Sequence, residues 1–275
     1  MKLSIFDNNF NNRESEQYPF EKRAEYVKNL GYSGVHWSYP DYNNEYMEMY
    51  RPNGLAATSI DVLVRLTSAD DAVFNEALDI AFKSLKYADE IGCDNAMMVP
   101  WNTEDIDGVE DKQRARERMI EGLRLIVEEA KKYPNLRVSI ENFSIPILPF
   151  SYIDDIRYIL DSVPGLWFTF DTGNFVCVGE DGVRAYNTLK DRIIMMHLKE
   201  FGEVDGPGDR VIRRQCDGKY LYGKKFGKGF AKLDEILPIA AVDFPDIWYE
   251  VEHHYFELTW KDIDELTEYV KSKFE

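Results

Sequence analysis

The chain has 275 residues, enough for one large α/β domain or two smaller ones, and enough to bury a core without disulfide or metal staples. Its 50 acidic and 33 basic residues give a formal charge of -17, a balance that repels nucleic-acid phosphates and anionic membrane surfaces. Cys93, Cys177 and Cys216 are odd in number and scattered, which excludes a disulfide framework or a CxxC metal site and fits a reducing, cytoplasmic setting. Neither a signal peptide nor a membrane span is expected.

In chain order, short apolar runs alternate with longer amphipathic segments. Leu3 to Phe6 is a first strand, and Phe20 to Leu30 a helix closed by Gly31. Gly34 to Trp37 is a second strand, Asn44 to Tyr50 a short helix ended by Pro52, and Leu55 to Asp61 a third strand. Asp70 to Ile91 is a long helix with apolar residues at Val73, Ala77, Ile80, Ala81, Leu85 and Ala88, ended by Gly92. Asn95 to Val99 is strand four and Lys112 to Tyr133 the next helix. Leu136 to Glu141 is strand five, with a helix over Ile153 to Ser162 stopped by Pro164. Leu166 to Asp171 is strand six, followed by a helix near Gly182 to Lys190. Ile193 to His197 is strand seven, Leu233 to Val242 a helix, Ile247 to Glu252 strand eight, and Thr259 to Lys273 a closing helix.

Eight strands, each followed by a helix, make an α/β chain. No Pro/Gly/Ser linker splits it, so residues 1–275 are assigned to one domain. Right-handed crossovers make the sheet parallel, and eight such units close into a (β/α)8 barrel. An open doubly wound sheet competes, but no Gly-rich phosphate loop follows the first strand. One connection is long: about three dozen residues rich in Gly and charge separate His197 from Leu233. It carries Arg210, Arg213, Arg214, Lys219, Lys224, Lys225 and Lys228. Because it leaves the ligand-bearing end, it is expected either to cover the site or to lie as a solvated loop.

Four apolar runs end in residues that bind metal ions. WFTFDTGN stops its strand at Asp171, and strands five, seven and eight lead into Glu141, His197 and Glu252. A charged residue after one strand is ordinarily a cap or surface group. Four on successive strands, all at one end, suit a single divalent cation such as Mn, Co, Mg or Zn, since softer metals would want thiolate. Glu250 shares a strand face with Glu252 one layer deeper, and is assigned a supporting role, holding a ligand or Lys199.

VSIENF around Glu141, FTFDTGN around Asp171, MMHLKE around His197, GKGFAKLDEIL after the long loop and EVEH around Glu252 resemble the xylose-isomerase-like TIM barrel superfamily. The similarity lies with its sugar isomerase and epimerase branch, which includes tagatose-3-epimerase-like and inosose-dehydratase-like proteins. It spans strand five to the C-terminus by motif and the first half by pattern. GYSGVHW is similar to the family's second-strand signature, with His36 where the family usually has a glutamate. The resemblance implies that Glu141, Asp171, His197 and Glu252 bind one divalent metal. It also implies that Glu141 and Glu252 move protons on opposite faces of a sugar. Chemistry agrees, because proton abstraction beside a carbonyl builds charge on an oxygen that a chelated metal stabilises.

Asn174 departs from the pattern, standing where the family commonly has histidine. That histidine contacts substrate in the epimerases and ligates metal in the endonuclease IV-like branch. With no histidine near Asp61 or at Trp101-Asn102 either, a multi-metal DNA-repair enzyme is not expected. Lys199, Trp37, Trp101, Asn174 and His36 are the candidate substrate contacts. Each has an ordinary alternative: an ion pair with Glu250 for Lys199, and core or rim packing for the tryptophans. His253 and His254 read as loop residues. The stretch Tyr39 to Tyr50, with four tyrosines and two methionines, reads as a packed lid or an oligomer contact.

The expected activity is a divalent-metal-dependent sugar or polyol isomerase or epimerase acting next to a carbonyl. Its partner is a small-molecule sugar or polyol, phosphorylated or not, with homo-oligomerisation left open. The alternatives are a dehydratase acting on a cyclic polyol and a sugar-binding descendant without turnover.

Overall fold

Strands of four to eight residues, apolar on the face toward the helices, pair side by side until the sheet meets itself. The computed structural model describes residues 1–10, 22–37, 48–100, 102–253 and 260–274. The barrel strands are β1 (Lys2–Phe6), β2 (Gly34–Trp37), β3 (Ala56–Leu63), β4 (Asn95–Val99), β5 (Arg137–Glu141), β6 (Trp167–Asp171), β7 (Ile193–Leu198) and β11 (Trp248–Val251). They close as β1-β11-β7-β6-β5-β4-β3-β2, every pairing parallel. This is a (β/α)8 TIM barrel.

The helices packed outside are α1 (Arg23–Asn29), α2 (Asp71–Glu90), α3 (Val109–Ala130), α4 (Ile153–Ser162), α6 (Gly182–Leu189), α7 (Leu233–Asp243) and α8 (Trp260–Lys271). Local chemistry sets their ends. Asp70 caps α2 by accepting from the Ala72 and Val73 amides, and Gly92 follows with φ 68°, a conformation glycine adopts without strain. The buried stripe of α2 runs through Phe74, Ala77, Leu78, Ala81, Leu85 and Ala88. Ile80, expected on that stripe, is 38% exposed because it falls on the solvent flank.

The inside of the barrel is polar. Asn95 Nδ2 donates to Ser59 Oγ at 3.0 Å and Ser139 Oγ at 2.9 Å, and Ser139 Oγ meets Thr169 Oγ1 at 2.8 Å. Ser4 meets Thr58 at 2.8 Å across the barrel's first strands. These hydroxyls lie one layer below the tips of the strands. Two residues further along, on the same face, come Glu141 and Asp171.

Three features differ from the sequence expectation. β3 runs on past Asp61, since Val62 and Leu63 continue pairing with Met98 and Val99, so Asp61 lies within the strand. A four-residue helix, α5 (Asn174–Cys177), starts directly after β6. The long segment after β7 is folded rather than loose: β8 (Phe201–Val204), β10 (Tyr220–Gly223) and β9 (Ile212–Arg213) make an antiparallel sheet in that order. Most of the helix expected over Asn44 to Tyr50 lies outside the described residues.

Candidate metal centre

At the C-terminal mouth of the barrel, Glu141, Asp171, His197 and Glu252 each offer one ligand atom, all within 4.8 Å of one another. Their exposures are 6, 0, 0 and 7%, so this is a buried cluster and not a surface patch. β5 and β6 end in Glu141 and Asp171. Asp171 pairs with His197 in strand register, and His197 with Glu250. Glu252 follows β11 and keeps the ladder by donating its amide to the Leu198 carbonyl at 3.2 Å.

Asp171 is fixed from its own backbone. Its Oδ1 accepts the amides of Gly173 at 2.8 Å and Asn174 at 2.6 Å. Asn142 brackets it, accepting the Asp171 amide at 3.0 Å and donating to its carbonyl at 3.2 Å. Oδ2 is buried without an aligned hydrogen bond and lies 2.8 Å from Lys199 Nζ. The same ammonium is 2.7 Å from Glu252 Oε1. His197 turns Nδ1 to the carboxylates, 2.7 Å from both Glu141 Oε1 and Glu252 Oε2.

Behind His197 lies a second buried group. Glu250 Oε1 is 3.2 Å from His197 Nε2 and 2.7 Å from His36 Nδ1. Glu250 Oε2 accepts from Ser4 at 3.0 Å, and His36 Nε2 reaches Asp61 at 3.0 Å. Both nitrogens of His36 therefore face carboxylates. Glu250 supports His197 and His36, whereas Lys199 pairs with Asp171 and Glu252 rather than with Glu250.

Sequence reading had no role for Asp61, Ser4 or Thr172. The signal for Asp61 was present in the polar residues Ser59 and Asp61, two apart within an apolar strand. Thr172 clamps Lys199: its Oγ1 accepts the Lys199 amide at 2.9 Å and donates to the Lys199 carbonyl at 2.8 Å.

The charges shift one another. Burial raises the Glu141 carboxyl, and the Glu252 charge adds to it; Lys199 and His197 oppose, leaving it at about 8. Burial alone would lower both imidazoles. Glu250 and Asp61 push His36 up to about 9, and Glu250, Glu141 and Glu252 hold His197 well above its ordinary value.

Trp37 and Asn174 are the other candidates among the described residues. Trp37 is 8% exposed and packs edge-on to Tyr50 in the core outside the barrel. Asn174 is 4% exposed, and its amide donates to the Asn142 carbonyl at 2.9 Å. Trp101, His254 and residues 39–47 lie outside the described residues. His253 accepts a loop role, with Nε2 2.6 Å from the Lys224 carbonyl. In the folded segment after β7, Arg214 pairs with Asp217, Lys219 with Glu203, and Lys225 with Asp262 and Glu265.

The centre suits a divalent ion by its donors: three carboxylates and an imidazole nitrogen, buried together, with Asp171 Oδ2 lacking an aligned hydrogen bond.

Comparison with known proteins identifies the family of the fold. A family model described as xylose isomerase-like TIM barrel matches residues 24–273. The chain belongs to that family. No curated protein matches it. Solved structures share its fold at low identity. D-psicose 3-epimerase from Clostridium cellulolyticum H10, solved with D-tagatose, aligns over 100% of both chains with 14% identity and a TM-score of 0.75. The probable 3-DHS dehydratase AsbF of Bacillus anthracis covers 98% of this chain and 99% of its own, at 17% identity and TM-score 0.74. The IOLI protein with a bound zinc atom covers 100% and 98%, at 16% identity and TM-score 0.75. Among the described residues no helix is long and apolar enough to cross a membrane.

Proposed function

We propose that the protein is a divalent-metal-dependent isomerase or epimerase of a sugar or polyol, acting by proton abstraction next to a carbonyl. One observation carries the reading: the clustering of Glu141, Asp171, His197 and Glu252 within 4.8 Å at one barrel mouth. These four side chains would hold one ion, of the Mn, Co, Mg or Zn class. When bound, it would supply Lewis-acid stabilisation of a carbonyl oxygen and a neighbouring hydroxyl. Zinc in a structural neighbour supports the choice of a divalent ion.

Glu141 and Glu252 carry the proton transfers. One carboxylate takes the proton from the carbon beside the carbonyl, and the C–H electron pair passes into an enediolate. The other returns a proton, to the opposite face of that carbon in an epimerase or to the adjacent carbon in an isomerase. Without metal the Glu141 carboxyl is raised to about 8, so near neutral pH it holds a proton that a bound divalent ion would displace, freeing the carboxylate to act as a base. Asp171 is fixed by two backbone amides, so it orients and does not shuttle.

A second reading is favoured by Lys199, whose ammonium 2.7 Å from Glu252 could protonate a departing hydroxyl. The enediolate would then expel a β-hydroxyl as water, giving dehydration, the reaction class named for AsbF.

Protein loaded with Mn in D2O should incorporate deuterium beside the carbonyl of its substrate, screened among free ketoses, their phosphates and inositol derivatives. Chelation, Glu141→Gln or Glu252→Gln should abolish exchange without changing far-UV circular dichroism. Full exchange in either variant refutes the acid/base roles. An absorbing enone product identifies the dehydratase, and tight binding without exchange would mean a sugar-binding protein.

A further inference from the structure

The cluster contains one more cation than a plain ligand set requires. Lys199 is 4% exposed, and its ammonium lies 2.8 Å from Asp171 Oδ2 and 2.7 Å from Glu252 Oε1. Asp171 has no second oxygen to offer, because Oδ1 is committed to the amides of Gly173 and Asn174. Any ion held by Asp171 must therefore use the oxygen that Lys199 holds. We infer that Lys199 is a built-in competitor for the divalent ion, neutralising the carboxylates of the metal-free chain and giving them up when the ion binds.

The physical need is plain. Glu141, Asp171 and Glu252 are almost wholly buried, and buried carboxylates must be paired. A lysine suits the task because its compact charge sits on a flexible four-carbon stem that can turn aside, which a forked guanidinium does less readily. Only the side chain is free to turn. The backbone is clamped by Thr172 through both its amide and its carbonyl. Gly173 lets that backbone pack closely: a Cβ there would stand 3.0 Å from Lys199 Cβ, 3.1 Å from the Lys199 carbonyl carbon and 2.9 Å from a Phe201 ring carbon. Lys199 thus sets how much divalent ion is needed before the site fills, and the freed ammonium becomes available to a substrate oxygen.

This inference rests on the metal-dependent reading above, and the experiment separates the two. Mn binding is measured by the electron paramagnetic resonance of free Mn and by calorimetry, on wild type, Lys199→Met, Lys199→Gln, Lys199→Arg and Glu141→Gln. Both neutral variants should bind Mn about tenfold tighter or more, because a competing charge is gone. They should also melt lower without metal and show a larger Mn-induced rise in Tm. Lys199→Gln keeps a donor for the same oxygens, so it reports even if Lys199→Met folds poorly without metal. Lys199→Arg should bind Mn no tighter than wild type. Neutral variants that fold and bind Mn no tighter than wild type overturn the competition, while the metal reading survives if Glu141→Gln loses Mn. Failure of wild type to bind any Mn would overturn both.

Discussion

Replacing Glu250 by glutamine tests whether the group behind His197 works as a unit. Glu250 is fully buried and sits 2.7 Å from His36, 3.2 Å from His197 and 3.0 Å from Ser4. Glutamine keeps the volume and one acceptor but deletes the charge that balances two imidazoles. Removing one partner of a buried ion pair costs about 3–5 kcal/mol. With Asp61 still on His36 and an amide oxygen retained, a loss of roughly 2–3 kcal/mol is expected. At roughly 2–4 °C per kcal/mol for a large domain, Tm should fall by about 5–10 °C. The pH dependence has a definite sign. A histidine raised in the fold stabilises fully below its unfolded value of about 6.5, and that contribution fades as pH rises through about 9, where His36 titrates. The gap between wild type and Glu250→Gln should therefore be widest near pH 6 and narrower at pH 9.5. Differential scanning calorimetry in EDTA at both values measures it. Mn affinity should weaken by about 10–100-fold, as for loss of the group that orients a ligating histidine. Equal melting at both pH values, with unchanged Mn affinity, would refute the argument.

The other expectations are independent of it. Gly34→Ala would drive a Cβ into the Thr58 methyl, the extra residue of β3 where its register with β2 shifts. It should cost about 1–3 kcal/mol in denaturant unfolding, and Thr58→Ser, which removes that methyl, should restore most of it. Mn binding at pH 7 should release about one proton or more, since Glu141 (about 8) and His197 both hold protons in the metal-free protein. Calorimetry in two buffers of different ionisation enthalpy reads the release, and apparent affinity should rise from pH 6 to 8; a flat profile contradicts the ligand assignment. Asn174→Ala leaves the Asn142 carbonyl without its 2.9 Å partner and should cost about 1–3 kcal/mol while largely retaining Mn affinity, measured by thermal unfolding and Mn titration.

The eight strands were legible in the sequence because each is a short β-rich run bounded by glycine, proline or charge, and β2, β4 and α4 match their expected ends. So were the four strand-tip ligand candidates, since a period of two places Glu141 above Ser139 and Asp171 above Thr169 on one face. Proximity across the barrel was not legible. Where Lys199 reaches, which nitrogen of His197 faces the carboxylates, and the Asp61–His36–Glu250 chain all depend on how strands far apart in sequence are staggered. The antiparallel sheet after β7 was hidden for a similar reason: its Gly-rich, charged composition reads as loop, and its pairing partners lie many residues apart. Sequence by itself determined the fold and set four candidate ligands at the tips of strands five to eight, because both follow from local periodicity and turn residues. Only the tertiary structure decided which charges share an atom, because closure of the barrel brings those side chains within a few ångströms, and electrostatic energy depends on that distance.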